Sequence, residues 1–224
     1  MSSLEVGFMQ TSALISGTQE SQGTVLFKRP GRIRLDWKTA AGKNGEVRET
    51  FIIRKGVTAA WVYLPGTNQV SKVDNPFSSP AQYSQLVEIW FLESPQELSS
   101  RYDLRLVGKE KVDGGEVYRL ELLSKKRQGK QIWWVDGKTF MRRRVEIYTA
   151  DEEMPDLTIV FKNYELVDGH WAARRIEMTD ILDNLSVIYL REVYFNRPIA
   201  DGVFFYTLPP GAKLTDVPAL LPRR

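Results

Sequence analysis

Residues Gly23-Thr-Val-Leu-Phe-Lys-Arg-Pro-Gly-Arg-Ile-Arg-Leu-Asp-Trp37 decide the reading of the chain. Within them Arg32-Ile33-Arg34-Leu35-Asp36-Trp37 alternates strictly. Ile33, Leu35 and Trp37 share one face and charges take the other, the period-two signature of a half-wet strand. Working outward, further β-rich runs follow at Glu46–Arg54, Thr58–Leu64, Gln69–Val73, Tyr102–Gly108, Glu116–Leu123, Lys130–Asp136, Thr139–Tyr148, Leu157–Val167, Trp171–Thr179 and Ser186–Phe195. Asp113-Gly114-Gly115, Asp136-Gly137 and Asp168-Gly169 are expected to supply the positive-φ residues of tight hairpins. About eleven to thirteen strands at hairpin spacing argue a meandering antiparallel sheet. No linker or tandem repeat interrupts it, so residues 1–224 are expected to form a single domain.

The segment from Pro80 to Leu92 breaks the pattern and reads as a helix with Pro80 in its first turn. Gln82, Gln85 and Glu88 make a narrow polar stripe, while Tyr83, Leu86, Val87, Ile89, Trp90, Phe91 and Leu92 fill the rest. That apolar arc exceeds the ~100° a helix needs to sit on a sheet. Such a helix is buried in a core, lines a hydrophobic cavity or meets a partner. Several strands share the excess: Gln131–Val135 and Val203–Tyr206 are apolar in both directions, although a sheet wet on one side alternates. A wide sheet with an apolar interior accommodates both features.

The 224 residues include no cysteine and one histidine, His170. Disulfides, thiolate nucleophiles, iron–sulfur clusters and thiolate zinc sites are thereby excluded, as is a multi-histidine metal centre. Net charge is +3, from 31 Lys plus Arg against 28 Asp plus Glu, and the signs alternate along the chain. Nucleic-acid binding calls for a denser basic stripe. No apolar run reaches the ~20 residues of a spanning helix, and residues 1–20 lack the pattern of a signal peptide. No cofactor, metal or catalytic residue is expected.

No nucleophile elbow, phosphate-binding loop or dinucleotide fingerprint occurs. His170 falls in the turn Asp168-Gly169-His170-Trp171, where an exposed imidazole needs no function. The pairs Asp180 with Asp183 and Glu152 with Glu153 read as solvated loop charge. Arg142-Arg143-Arg144 lies inside a strand, where successive side chains point to opposite faces, so a split is expected in place of a phosphate clamp.

The Gly23–Trp37 stretch, with its Lys28-Arg29-Pro30, resembles the opening of the outer-membrane lipoprotein carrier (LolA-like) family. Lys55-Gly56, Trp61-Val-Tyr63 and Pro65 resemble that family's Gly, Trp-x-Tyr and Pro hairpin, and Phe204-Phe205-Tyr-Thr-Leu-Pro209-Pro210-Gly211 its C-terminal ending. The resemblance covers about residues 6–217. It implies a mainly β protein with a few helices: a half-open antiparallel β-barrel, or curved sheet, lidded by helices and enclosing an apolar cavity. Residues 1–22 would be the remnant of an N-terminal helix and loop, with Gly7-Phe8-Met9-Gln10 as the helix end, and residues 80–100 the lid helices. By the same resemblance Arg29 would latch the lid. Ile33, Leu35, Trp37, Trp61 and Tyr63 would line the cavity opposite Leu86, Ile89, Trp90 and Phe91.

The function implied is that of a monomeric periplasmic carrier and chaperone. Its cargo would be the acyl chains of lipoproteins or other lipids, received from an inner-membrane exporter and passed to an outer-membrane acceptor. Two alternatives stand beside it. One is a membrane-linked sensor or interaction module on the same lipid-binding scaffold. The other is a hydrolase built on His170 and a nearby carboxylate, for which no motif supplies the nucleophile.

Overall fold

A computed structural model of the chain describes residues 1–14, 17–40, 46–54, 57–74, 95–112, 114–125, 129–149 and 153–215. The strands are β1 (Ser3–Leu14), β2 (Gly17–Lys28), β3 (Arg32–Ala40), β4 (Glu46–Arg54), β5 (Val57–Leu64), β6 (Gln69–Asp74), β7 (Tyr102–Val112), β8 (Gly115–Ser124), β9 (Lys130–Asp136), β10 (Arg142–Tyr148), β11 (Leu157–Val167), β12 (His170–Asp180), β13 (Leu185–Phe195) and β14 (Lys213–Thr215). A helix, α1 (Pro95–Arg101), precedes β7, and a 3-10 turn, Asp201–Phe204, follows β13. The expectation of a mainly β, antiparallel protein with few helices holds. The expected Pro80–Leu92 helix lies outside the described residues. Among those residues, no helix is long and apolar enough to cross a membrane.

The chain divides into two compact units, the first comprising Met1–Thr11, Thr18–Ser78 and Leu190–Arg224, the second Ser12–Gly17 and Ser79–Tyr189. In the first the hydrogen-bonded order is β14-β6-β5-β4-β3-β2-β1, then the C-terminal half of β13. In the second the order runs from the N-terminal half of β13 through β12, β11, β10, β9 and β8 to β7. The pairs from β2 to β6 and from β7 to β13 are antiparallel, while the short β14 lies parallel to β6. Val6, Val25, Leu35, Ile52, Val70 and Phe204 form the dry centre of the first unit, and Val117, Leu122, Val145, Ile159, Ile176 and Ile188 that of the second.

Residues 3–14 and 17–28 are strands, which corrects the helix remnant expected at the N-terminus. Gly7-Phe8-Met9-Gln10 is the middle of β1. Leu4, Val6, Phe8, Gln10 and Ser12 are all buried, one face of a strand, and Phe8 meets Trp37 edge-on at 5.4 Å. Polar Gln10 and Ser12 take buried positions, so the apolar alternation that marks a strand fades halfway along the element. The missed β1 and β14 bring the count to 14 strands among the described residues.

One turn and one expected strand differ from expectation. Asp168 and Gly169 have φ of 48° and 77°, and Gly114 has 76°, as the hairpins require. Between β9 and β10, however, the positive-φ residue is Phe140, at 57°, and Gly137 serves another need. A side chain at Gly137 would meet the Glu116 carbonyl oxygen at 3.0 Å. Asp136 organises this turn. Its Oδ1 accepts the backbone N–H groups of Lys138 and Thr139, both at 2.9 Å, and the Thr139 hydroxyl at 3.1 Å, while Oδ2 accepts Arg143 Nε at 2.8 Å. These bonds, led by that from the Thr139 amide, hold the Asp136 pKa down at about 2. Val203–Tyr206 is likewise no two-faced strand: the 3-10 turn buries Phe204 completely and leaves Phe205 exposed.

Gly23 admits no side chain, because a Cβ there would stand 2.2 Å from the Asp36 carbonyl oxygen and 2.6 Å from the Phe8 ring. Gly23→Ala is expected to cost about 1–3 kcal/mol of stability, read by urea unfolding; an unchanged midpoint would show that β1 does not pack there. For Asp136→Ala the expected loss at pH 7 is about 1–3 kcal/mol, since charge-assisted bonds disappear. A depressed carboxylate stabilises above its unfolded pKa, near 4, and the benefit is lost as pH falls through about 2. The gap between wild type and Asp136→Ala should therefore close over that acid range. A gap constant from pH 7 to pH 2 would contradict the assignment.

Candidate functional site

In an antiparallel pair, residues directly opposite project to the same side of the sheet. Following the register across the second unit therefore identifies rows. Leu106 faces Leu120, Leu120 faces Trp133, Trp133 faces Val145, Val145 faces Ile159 and Ile159 faces Met178. This apolar row starts open and ends dry: Leu106 is 60% exposed, whereas Val145 and Ile159 are at 0%. Beside Leu106 on the same face of β7, Leu104 is 46% exposed. A polar spot in this face is internally satisfied. Trp133 Nε1 donates to Gln131 Oε1 at 2.7 Å, and Gln131 Nε2 donates to the Tyr102 hydroxyl at 3.0 Å.

The other face of this unit is ionic. Arg144 pairs with Glu146 at 2.5 Å, and Glu177 binds both Lys162 and Arg175. Tyr148 donates to Glu146 at 2.8 Å, and burial, reinforced by that carboxylate, pushes its hydroxyl pKa up to about 12. Arg142, Arg143 and Arg144 are split between faces as expected, but a register irregularity between Arg142 and Arg144, and not alternation alone, sets those two apart. Without it, residues two apart would face the same way. Arg142 is buried between the rings of Trp133 and Phe161, at 5.1 and 4.9 Å, while Arg144 lies over Trp134 and Arg143 pairs with Asp136.

The first unit has its own apolar face. Val25, Leu35, Phe51, Ala60 and Val73 form one row, and Phe27, Ile33 and Ile53 the next. Trp37 continues this face, opposite Gly23 and a buried Glu49. Ile33 and Leu35 are 8% and 2% exposed, so both are core residues in this structure. Trp61 and Tyr63 stand on the opposite face, because they pair with Thr50 and Arg48 in a register that sets Phe51 and Glu49 on the other side. The structure thus brings Ile33, Leu35 and Trp37 together and separates Trp61 and Tyr63 from them. Leu86, Ile89, Trp90 and Phe91 lie outside the described residues.

Trp61 and Tyr63 instead hold the C-terminal segment. Trp61 stacks on Tyr206 with centroids 4.8 Å apart, Arg34 Nη1 donates to the Val203 carbonyl at 2.8 Å, and Arg54 lies 4.6 Å over the Phe205 ring. Tyr63 donates its hydroxyl to Asn68 Oδ1 at 3.0 Å, and the Asn68 carbonyl accepts the Lys213 amide at 3.0 Å, which starts β14. Arg34 is oriented by Asp36, which also accepts the Thr50 hydroxyl. Arg29, exposed at the β2–β3 turn, donates Nε to the Met1 carbonyl at 3.0 Å. His170 opens β12 opposite Val167. The row through Leu106, Leu120 and Trp133 was not singled out in the sequence. Its signal was there in the apolar runs at Leu104–Val107 and Ile132–Val135, but only register aligns them.

A family model described as "-like: Uncharacterized protein" matches residues 44–206, well over half of the chain. Among curated proteins, none matches the sequence. Solved structures do. A DUF1329 family protein from Desulfovibrio piger is 20% identical with a TM-score of 0.71, covering 92% of this chain and 90% of that one. A protein domain described as outer membrane lipoprotein-sorting, from Vibrio parahaemolyticus, is 18% identical at a TM-score of 0.68, with 91% and 89% covered. A LolA superfamily protein from Nitrosomonas europaea is 20% identical at 0.65, with 92% and 90% covered. The chain therefore belongs to the family of that matching model, and its fold is that of the LolA-like, lipoprotein-sorting proteins.

Proposed function

We propose that this protein is a carrier that holds the acyl chains of lipoproteins or other lipids against its apolar sheet faces and performs no chemical step. One observation carries the reading. The Leu106–Leu120–Trp133–Val145–Ile159 row offers a strip of apolar side chains that is open at β7 and continuous with a dry interior. An extended acyl chain is the ligand whose shape and chemistry suit such a strip. The likeness in fold to lipoprotein-sorting proteins supports the same reading, and extends it to transfer across the periplasm from an inner-membrane exporter to an outer-membrane acceptor. In this proposal Ile33, Leu35 and Trp37 support the apolar face of the first unit from within. Arg29 serves as the latch, and Leu86, Ile89, Trp90 and Phe91 belong to the lid. Trp61 and Tyr63 contribute by fixing the C-terminal segment.

Energetics favour an open strip over a sealed pocket. Each methylene taken out of water is worth about 0.8 kcal/mol, so complete burial of a 16-carbon chain approaches ~12 kcal/mol before costs. A carrier must release what it binds. Leu104 and Leu106, 46% and 60% exposed, leave part of such a chain in contact with water and so keep the affinity reversible.

The test uses residues whose replacement spares the core. Leu106→Glu and Leu104→Glu place a carboxylate on the exposed end of the strip, and binding of a fluorescent fatty acid should weaken at least tenfold, about 1.4 kcal/mol, with the unfolding midpoint little changed. Leu35→Glu is unsuitable, because a carboxylate at so dry a position would unfold the chain. Wild-type affinity in both Leu104→Glu and Leu106→Glu would remove the strip from the binding surface. Absence of any acyl ligand bound to wild type would sink the carrier reading itself.

A further inference from the structure

The cations at one end of the first unit play no part in the apolar faces. The β2–β3 turn and the segment after β13 are brought to the same end by the start of β1. The Arg29 amide donates to the Ser2 carbonyl at 2.9 Å, the Asn196 amide to the Ser3 carbonyl at 3.0 Å, and the Ser3 hydroxyl to the Arg197 carbonyl at 2.6 Å. Arg29 and Arg197 are both exposed. Next to them, Asp201 accepts ion pairs from Lys28 and Arg32, each at 2.5 Å, and Lys28 also donates to the Ile199 carbonyl at 2.6 Å. Arg54 lies on the same side, over Phe205. Lys28, Arg29, Arg32, Arg54 and Arg197 thus gather at one end, and Asp201 pairs with Lys28 and Arg32 among them. Arg34 and Asp36 neutralise each other.

Apolar residues emerge in the same segment: Phe205 is 52% and Leu208 45% exposed. Long cationic side chains around protruding aromatic and aliphatic ones suit a bilayer interface. There the rings and leucines enter the acyl boundary, and the cations reach the headgroups. The cations come from three separate pieces of chain, the β2–β3 hairpin, the end of β4 and the segment after β13, so the complementary partner is a diffuse layer of negative charge.

We infer that this end of the first unit docks onto an anionic lipid surface. Asp201 accepts from both Lys28 and Arg32, so it holds those two cations beside the segment that carries Phe205 and Leu208. Docking is distinct from cargo binding. It uses residues that the apolar strip does not, and it would serve a carrier at a donor or acceptor membrane as readily as it would serve any other peripheral protein.

Vesicle flotation of the full chain tests the inference. Binding is expected to phosphatidylglycerol-rich vesicles and not to pure phosphatidylcholine vesicles, and should fall as sodium chloride is added. Arg29→Gln and Arg197→Gln should each weaken it about fivefold, and Leu208→Ser should weaken it further. These side chains are exposed, so unfolding midpoints should stay put and confirm that the variants are folded. Leu106→Glu separates docking from cargo: it should float with phosphatidylglycerol vesicles like wild type even where fatty-acid binding is lost. Equal binding to both vesicle types would overturn the inference. So would the absence of binding to phosphatidylglycerol vesicles, an acidic protein partner then being the better fit, or full binding by Arg29→Gln, Arg197→Gln and their combination.

Discussion

Cross-strand register is the constraint on which everything else in this protein rests. A strand sends alternate side chains to opposite sides, so an antiparallel sheet always has two faces, and each must be dry, ionic or covered. In the second unit one face is apolar and the other is a lattice of ion pairs and cation–aromatic contacts: Arg144 with Glu146 and Trp134, Lys162 and Arg175 with Glu177, Lys130 over Tyr148. Slipping the register by one residue would exchange the two faces wholesale and bury that lattice. The open edge is managed as well. A register irregularity between Leu106 and Gly108 and the run Lys109-Glu110-Lys111 blunt β7 against pairing with another chain.

The first unit solves the same problem differently. Its second face carries Arg34, Asp36, Thr50 and Trp61, too polar for a core and too aromatic for water. The segment from Ile199 to Gly211 covers part of it, held by Arg34 at Val203, by Trp61 at Tyr206 and by Lys28 and Arg32 at Asp201. The pair of cations on Asp201 holds its pKa down at about 2, the Arg32 hydrogen bond contributing most, so this clasp stays charged through the physiological range. Phe204, with no exposed surface, is the apolar peg of the same device.

How much of this was legible follows from which signals are local. β3 declared itself through Ile33, Leu35 and Trp37, and the hairpin at Asp168-Gly169 through its residue types, because alternation and turn chemistry need only neighbours in sequence. That the three arginines divide between faces was legible from alternation, whereas the separation of Arg142 from Arg144 was not, because it depends on a register irregularity that no local pattern marks. β1 was not legible, since Gln10 and Ser12 take buried positions that a sequence pattern expects to be apolar. Phe140 was missed as the left-handed turn residue because Asp136, through three bonds to the turn, makes a conformation tolerable that the aromatic side chain alone disfavours. Trp61 and Tyr63 looked like cavity wall until register put them on the reverse face. The Leu106–Ile159 row is not visible as a row in sequence for the same reason: its members come from separate strands that only register aligns.

The motifs that carry the family resemblance now have a common physical meaning. Lys28-Arg29-Pro30, Trp61-Val-Tyr63 and the Phe204–Gly211 ending lie far apart in sequence, yet the first two both hold the segment from Ile199 to Gly211. Lys28 reaches Asp201, Trp61 stacks on Tyr206, and Tyr63 reaches Asn68, whose side-chain nitrogen in turn donates to the Pro210 carbonyl. Their joint appearance reports one junction that fastens the end of the chain to the sheet, and a junction of that kind dictates fold. Cargo is another matter. Of the motif residues, Ile33, Leu35 and Trp37 face the apolar side, and the first two are sealed in the core. Under the proposed carrier reading, the side chains that would tell one acyl ligand from another are ones the motifs leave free, such as Leu104, Leu106 and Leu120.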